Sequence, residues 1–410
     1  MTGAGDEEPG PDPYPRAGLT SGPTPEDREA DRLARVGLAR LTEPGDPRLA
    51  ALVTGHGAAA VYAMLREERD ATGLATEVAA RVAGLDPVAD LDRARAQGIR
   101  FVCPGDGEWP ATLDDLDHCE TVNGRGGAPL GLWVRGRGRL DQLLGRSVAV
   151  VGSRSATTYG AAVAGDLSAN VAEEGVCVVS GAAFGIDQAA HRGALAARGP
   201  TVAVLACGAD RAYPSAHRDL LEYIAETGAV VSESPPGCAP TRLRFLSRNR
   251  MIAAVALGTV VVEAALRSGA LNTANWTSLL NRVLMGVPGP VTSASSEGVH
   301  EMLRTRGASL VTRGSDVLEL VSPLGAHAPT VPRRGPDGAW DLLSELDRQV
   351  LDAVPAVRPA HPPAVARTAG LRETSVLGAL ERLRSAGLVE RGSAGWRTAS
   401  RAGGPAQPVN

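Results

Sequence analysis

The chain has 410 residues, 43% of them hydrophobic, with 42 basic against 46 acidic side chains and a formal net charge of −4. That balance excludes a generally basic, nucleic-acid-coating body. Every basic residue is an arginine, so contact with a polyanion has to come from local guanidinium groups, which match phosphate in a bidentate way that lysine does not. Apolar runs are short and broken by charge, which excludes a membrane-spanning helix, and the acidic opening MTGAGDEEPG lacks the basic-then-apolar order of a secretory signal.

The length suits two or three domains. Five cysteines (Cys103, Cys119, Cys177, Cys207 and Cys238) stand far apart with no CxxC pair and no histidine at ligand spacing. No metal site and no cofactor are expected, and a reduced, cytoplasmic protein fits this usage.

Residues 1–26 are rich in Pro, Gly, Asp and Glu and are expected to be disordered. Residues 27–100 read as a small helical domain, SAM-like or helix–hairpin–helix-like. Leu33, Val36 and Leu41 recur at near-helical spacing, further helices are predicted over 58–68 and 74–83, and Gly55–Gly57 is the candidate hairpin turn. GIRFVCPGDGEWP (98–110) and PLGLWVRG (129–136) read as a bridging piece anchored by Trp109 and Trp133.

The main domain is predicted over 101–323. Its strand candidates are SVAVVG (147–152), VCVVSG (176–181), TVAVLAC (201–207), AVVSE (229–233), TVVVEA (259–264) and RVLMGVPG (282–289), with helical patterns between them. Near-continuous valine runs belong to a sheet covered on both faces, and alternation with helices makes the fold class α/β, doubly wound and mostly parallel. A Pro/Gly linker is expected over 324–338. Beyond it, 339–399 reads as a winged helix. Trp340, Leu343, Leu346 and Val350 mark one helix, HPPAVARTAG a second, and a third is capped by Thr374, with Leu377, Leu380 and Leu383 inward and Gly387 at its end. Its third helix offers Arg382 and Arg384 for duplex DNA; a protein contact is the competing use.

Two strand–bend–helix units follow one another. In AVVGSRSATTYG (149–160), Gly152 allows a tight turn, Ser153 offers a hydroxyl, and Arg154 is placed to clamp an oxyanion at the N-terminus of the next helix. The alternative is a plain turn with a solvent-facing arginine. VVSGAAFGIDQAAH (178–191) contributes Ser180, Gly181 and Gly185. Asp187 suits a helix N-cap, and His191 is either structural or hydrogen-bonded across the cleft. After the third strand, Asp210 and Tyr213 are expected at the carboxyl edge of the sheet, Tyr213 as a base-stacking residue or a packing anchor. Neither bend has the dinucleotide GxGxxG or the GxxxxGK[ST] pattern.

TRLRFLSRNRMI (241–252) carries Arg242, Arg244, Arg248 and Arg250 within nine residues, with Phe245 and Asn249 among them. A helix is expected from about Asn249. Arginines interleaved with an aromatic ring suit single-stranded nucleic acid; the competing reading is a surface salt-bridged through Glu233 and Glu263. Ser268 and Gly269 open a third small-residue bend, with Asn272 or Thr273 as its helix cap. Glu233 and Glu263 also permit a nucleotide or nucleoside-phosphate hydrolase, and the tail permits a duplex-binding regulator. No nucleophile elbow or Ser–His–Asp order is present, so no catalytic residue is assigned.

The blocks VGSRSATTYG, SGAAFGIDQAAH, TVAVLACGADRAYPSAH, VVSESPPG, FLSRNRMIAA, VVVEAALRSGALNTA and VLMGVPGPV, in that order over about 129–320, resemble the DprA/Smf family, the bacterial DNA-processing proteins of natural transformation and competence. The resemblance implies an extended Rossmann-like domain, sequence-independent binding of single-stranded DNA, a homodimer, loading of a RecA-type recombinase, interplay with single-strand-binding protein, and no catalytic reaction. It also places Gly152, Ser153 and Arg154 in a phosphate-holding bend and Arg248, Asn249 and Arg250 along the same pocket. The family often has an arginine just before the GID triplet, where this chain has Phe184, which opens that position to base stacking. Trp276 and Asn281 are further departures.

Overall fold

The computed structural model describes residues 24–67, 81–82, 84–323, 325–327 and 342–399. The expected tail up to residue 23, most of the 74–83 helix, Trp340 and nearly all of the linker lie outside them. The chain divides into two compact units, Met1–Pro329 and Thr330–Asn410.

The first unit is built on a sheet of β1 (Ile99–Val102), β2 (Leu132–Arg135), β3 (Ser147–Val151), β4 (Cys177–Ser180), β5 (Thr201–Leu205), β6 (Ala229–Ser232), β7 (Gly258–Val261), β8 (Val283–Gly286) and β9 (Ser309–Leu310), ordered β1-β2-β6-β5-β4-β3-β7-β8-β9. From β6 to β9 all pairings are parallel; β1 and β2 form an antiparallel edge on β6. All six predicted strands are present. The bridging piece is itself strand, which four-residue runs are too short to announce by periodicity. Phe101 stands opposite Trp133 in register, with ring centroids 4.8 Å apart.

The valine-rich strands are buried on both faces, and their period of two sorts side chains into two cores. Val148 and Val150 pack with Leu167, Val171 and Ile186, whereas Ala149 and Val151 pack with Ile252 and Trp276. The strand order runs outward from β3 through β4 and β5 to β6. The chain then returns to lay β7, β8 and β9 on the other side of β3. At such a reversal the two outgoing connections diverge and leave a crevice beyond the carboxyl ends of the strands.

The front of this unit is helical: Pro25–Leu41, Pro47–His56, Ala58–Arg66 and Pro87–Ala96. Thr24 and Asp27 form a reciprocal capping box at its start. Gly57, at φ +80°, breaks the second helix from the third at a bend of 115°. Among the described residues no single helix is long and apolar enough to cross a membrane.

The second unit has helices Glu345–Ala353, Pro362–Ala369 and Glu373–Ser385, followed by the hairpin Val389–Gly392 and Gly395–Thr398. Two expectations need correction here. The third helix starts at Glu373 after Arg372, so Thr374 is not its cap. Leu377 is exposed, because the buried stripe is Val376, Ala379, Leu380 and Leu383, and Leu377 lies about 100° from Val376 around the helix.

Candidate nucleic-acid interface

A cleft of about 940 Å³ opens at the β3/β7 reversal. Its walls come from the bend after β3 (Gly152 to Ser155), from Ala183 and Asp187 after β4, and from Arg267, Ser268, Gly269 and Asn272 after β7. One face of the Arg242–Ala254 helix, together with Tyr213 from the loop after β5, closes it.

The arginine cluster is helical throughout. Thr241 caps the helix by accepting the N–H of Arg244 at 3.2 Å, so it begins seven residues before the expected start near Asn249. At 100° per residue, Arg248, Phe245, Asn249 and Arg242 span an arc of about 120°, and Arg244 and Arg250 flank its two edges. Arg242, Phe245, Arg248 and Asn249 line the cleft. Arg244 and Arg250 do not, which corrects the reading of a four-arginine track. Arg244 makes a two-pronged pair with Glu43 at 2.9 and 2.7 Å and donates to Ala239 O. Arg250 is fully buried and pairs with both oxygens of Glu233 at 2.7 Å while donating to Gly127 O and Ser247 O. Of the salt-bridged alternative, Glu233 pairs with Arg250, in a buried rather than surface contact, while Glu263 pairs with none of these arginines and Glu43 takes Arg244.

Arg248 forms the floor. It is 5% exposed; its Nη1 donates to Val204 O at 2.9 Å, and its Nε has no partner. Burial pushes this guanidinium below the ordinary arginine range; nearby Asp187 opposes the shift and Arg154 adds to it. Asp187 is not the expected helix cap, since Gly185 holds that position. Its buried carboxylate turns back to accept the N–H groups of Gly181 and Ala183. Burial raises its pKa against the opposing pull of Arg248 and those amides.

Three expected phosphate contacts are scaffolding instead. Ser180 is buried and donates to Val150 O at 2.6 Å. Gly181 is glycine because a Cβ there would fall 1.4 Å from Arg248 Nη1. Gly185, at φ +79°, brings the second bend so close to the first that a Cβ would lie 2.3 Å from Ser153 O, the atom that accepts Ile186 N–H.

At the mouth the Arg154 guanidinium lies over the Phe245 ring at 4.5 Å, Arg248 is 5.9 Å from the same centroid, and Tyr213 stands 5.8 Å away, tilted 55°. Arg154, Arg242 and Arg267 have no carboxylate partner among the described residues. Phe184 is outside the cleft lining; it is exposed and packs edge-on against His217. Asp210 likewise serves the scaffold, accepting Gly237 N–H with both oxygens.

Asn249 lines the cleft with its amide donor engaged in the wall. Its Nδ2 donates to Gly269 O and Asn272 Oδ1, which leaves the Asn272 Nδ2 buried, unpartnered and on the cleft wall. Arg267, Asn123 and Asn272 line the cleft but were not read from the sequence as part of it. For Arg267 and Asn272 the small-residue bend after β7 was the available signal.

His191 is fully buried with Nδ1 against Thr201 Oγ1 at 2.8 Å; burial, with the charges of His217 and Arg248, depresses its pKa to about 3. The unfolded state, with an ordinary histidine, binds the extra proton first. Stability from this site is thus complete above the unfolded pKa and falls as pH drops from about 6.5 toward 3. In a series of urea titrations over that range, His191→Gln is expected to flatten this part of the pH dependence; an unchanged slope would contradict the assignment.

Among the described residues no group of three His, Cys, Asp or Glu is placed to hold a metal ion. The carboxylates needed for a hydrolase are engaged elsewhere. Glu233 holds Arg250, Glu263 holds Thr157, and neither lines the cleft. The hydrolase reading is therefore rejected.

Residues 100–322 match the family described as DNA recombination-mediator protein A. The chain belongs to that family, the DprA/Smf proteins. A protein of Mycobacterium tuberculosis H37Rv named as DNA processing protein DprA is 47% identical over 363 residues, covering 88% of this chain and 92% of the relative. Protein Smf of Escherichia coli K12 is 37% identical over 226 residues, covering 54% and 57%. The X-ray structure of DprA from Streptococcus pneumoniae matches with a TM-score of 0.58 at 31% identity, over 72% of this chain and 98% of that one. All residues lining the cleft fall inside the segment that defines DprA/Smf membership.

Proposed function

We propose that this DprA/Smf protein binds single-stranded DNA in the cleft without regard to sequence, protects it, and loads a RecA-type recombinase onto it as a cytoplasmic homodimer during DNA uptake or recombination, in exchange with single-strand-binding protein. The observation that carries this reading is the convergence of Arg154, Arg242, Arg248 and Arg267 with Phe245 and Tyr213 on one cleft. The cations hold phosphates, the rings offer faces for bases, and phosphate contacts position a strand without reading it. On this reading 101–323 is the Rossmann-like DNA-binding domain, 27–100 the helical domain and 339–399 a winged helix. In that last unit Arg382 is held by Asp347 and Arg384 by Glu381, which favours a protein contact over duplex phosphate.

Fluorescence anisotropy with single-stranded and duplex oligonucleotides, over a salt series, tests the proposal. Four cations at about 0.7 counterions per phosphate give an expected slope of log affinity against log salt of about −2 to −3 for single strands. Asn272→Ala should weaken binding without changing that slope, because a neutral amide releases no counterion. A flat salt profile, or preference for one duplex over single strands, would overturn the reading.

A further inference from the structure

Glu263, at the end of the β7 segment, is 2% exposed. Its Oε2 accepts the N–H of Thr157 at 2.9 Å and its Oε1 the Thr157 hydroxyl at 2.5 Å, with Ser295 Oγ at 3.4 Å. The same Thr157 hydroxyl accepts Gly160 N–H and so caps the Thr158–Glu173 helix. Among the described residues no cation pairs with this carboxylate. Its charge is met by hydrogen bonds and by the positive end of the helix. Gly160 is glycine because a Cβ there would meet all three carboxylate atoms at 2.3 to 2.8 Å.

In open α/β sheets the bend at a strand-order reversal, leading into a helix N-terminus, is the ordinary seat of a ligand phosphate. We infer that Glu263 is a built-in anion occupying that seat, and that it determines which phosphate ligands the adjoining cleft accepts. With the seat filled, a phosphate arriving from solvent is left to Ser153, Arg154 and Arg248 on the cleft side. A mononucleotide or inorganic phosphate, which depends on one seat, is rejected, whereas a polynucleotide that engages several cations at once is retained. Selectivity here comes from a repulsive element as much as from an attractive one. The inference rests on the cleft reading for its consequence, but its physical core can be tested apart from DNA.

The test uses the full chain with Glu263→Ala and Glu263→Gln, and formate, inorganic phosphate and thymidine monophosphate as probes. Glu263→Ala should melt below the parent and regain much of the loss when formate or phosphate is added. The parent and Glu263→Gln, whose side chains still fill the seat, should show no such gain. Thymidine monophosphate should displace single-stranded DNA from Glu263→Ala about tenfold more effectively than from the parent, a change of ~1.4 kcal/mol. If Glu263→Ala does not fold unaided, its refolding yield with and without phosphate or formate is the readout. An alanine variant that gains neither stability nor yield from any anion, and is displaced no more easily than the parent, overturns the inference. A parent that fails to bind single-stranded DNA would instead overturn the cleft reading and leave the anion result standing.

Discussion

Arg248→Ala is expected to remove most of the grip on single-stranded DNA, about 10- to 100-fold in affinity, as follows from the ~1.5–3 kcal/mol typical of a hydrogen bond to a charged group. Arg248 lines the cleft floor and gives only its Nη1 to a protein group, Val204 O, so the rest of the guanidinium can bind an anion without first breaking a protein contact. The loss should be the same for all sequences, and the salt slope should become shallower by about 0.7. Arg244→Ala is the control: that side chain is paired with Glu43 and does not line the cleft, and its removal should leave affinity and slope in place. Anisotropy titrations of the two variants, each confirmed folded by circular dichroism, decide the matter. Equal binding by Arg248→Ala and the parent would take the floor out of the site.

Arg250→Ala should act on stability instead. The Arg250–Glu233 pair is enclosed, with two-pronged geometry and further bonds from Arg250 to Gly127 O and Ser247 O. Deleting one member of a buried pair leaves an uncompensated charge and costs about 3–5 kcal/mol. Urea unfolding should show a loss of that size, while DNA affinity measured well below the melting temperature should stay near that of the parent. Replacing both partners by methionine should recover much of the loss, because an apolar pair carries no desolvation penalty. A stable Arg250→Ala with weakened DNA binding would return Arg250 to the cleft.

The contrast between these two arginines, two positions apart, shows where sequence reasoning stopped. Arg-rich composition with a central Phe identified the segment, but placing the helix start near Asn249 left residues 242–248 without a periodicity. Once Thr241 is the cap, 3.6 residues per turn gathers 242, 245, 248 and 249 on one arc, while 244 and 250 fall at its two edges, where Glu43 and Glu233 claim them. The glycines of the second bend carried a similar ambiguity. A glycine that admits a ligand and one that admits a neighbouring side chain look alike in sequence, and Gly181 proved to accommodate Arg248. Likewise Leu377 shared its leucine identity with Leu380 and Leu383 but not their face.

The valine runs, the bends that follow them and the order of the blocks determined by themselves the parallel α/β core, its connection into helices and membership of the DprA/Smf family, because short-range periodicity and turn chemistry are local properties. The pairing of β1 and β2 at the sheet edge, the division of the arginines between cleft and buried ion pair, and the occupation of a helix N-terminus by Glu263 were decided only by tertiary structure. Each depends on which distant residue arrives opposite, Val231 for Val134, Glu233 for Arg250 and Thr157 for Glu263, and the free energy of a charge is set by that partner and by burial rather than by its neighbours in the chain.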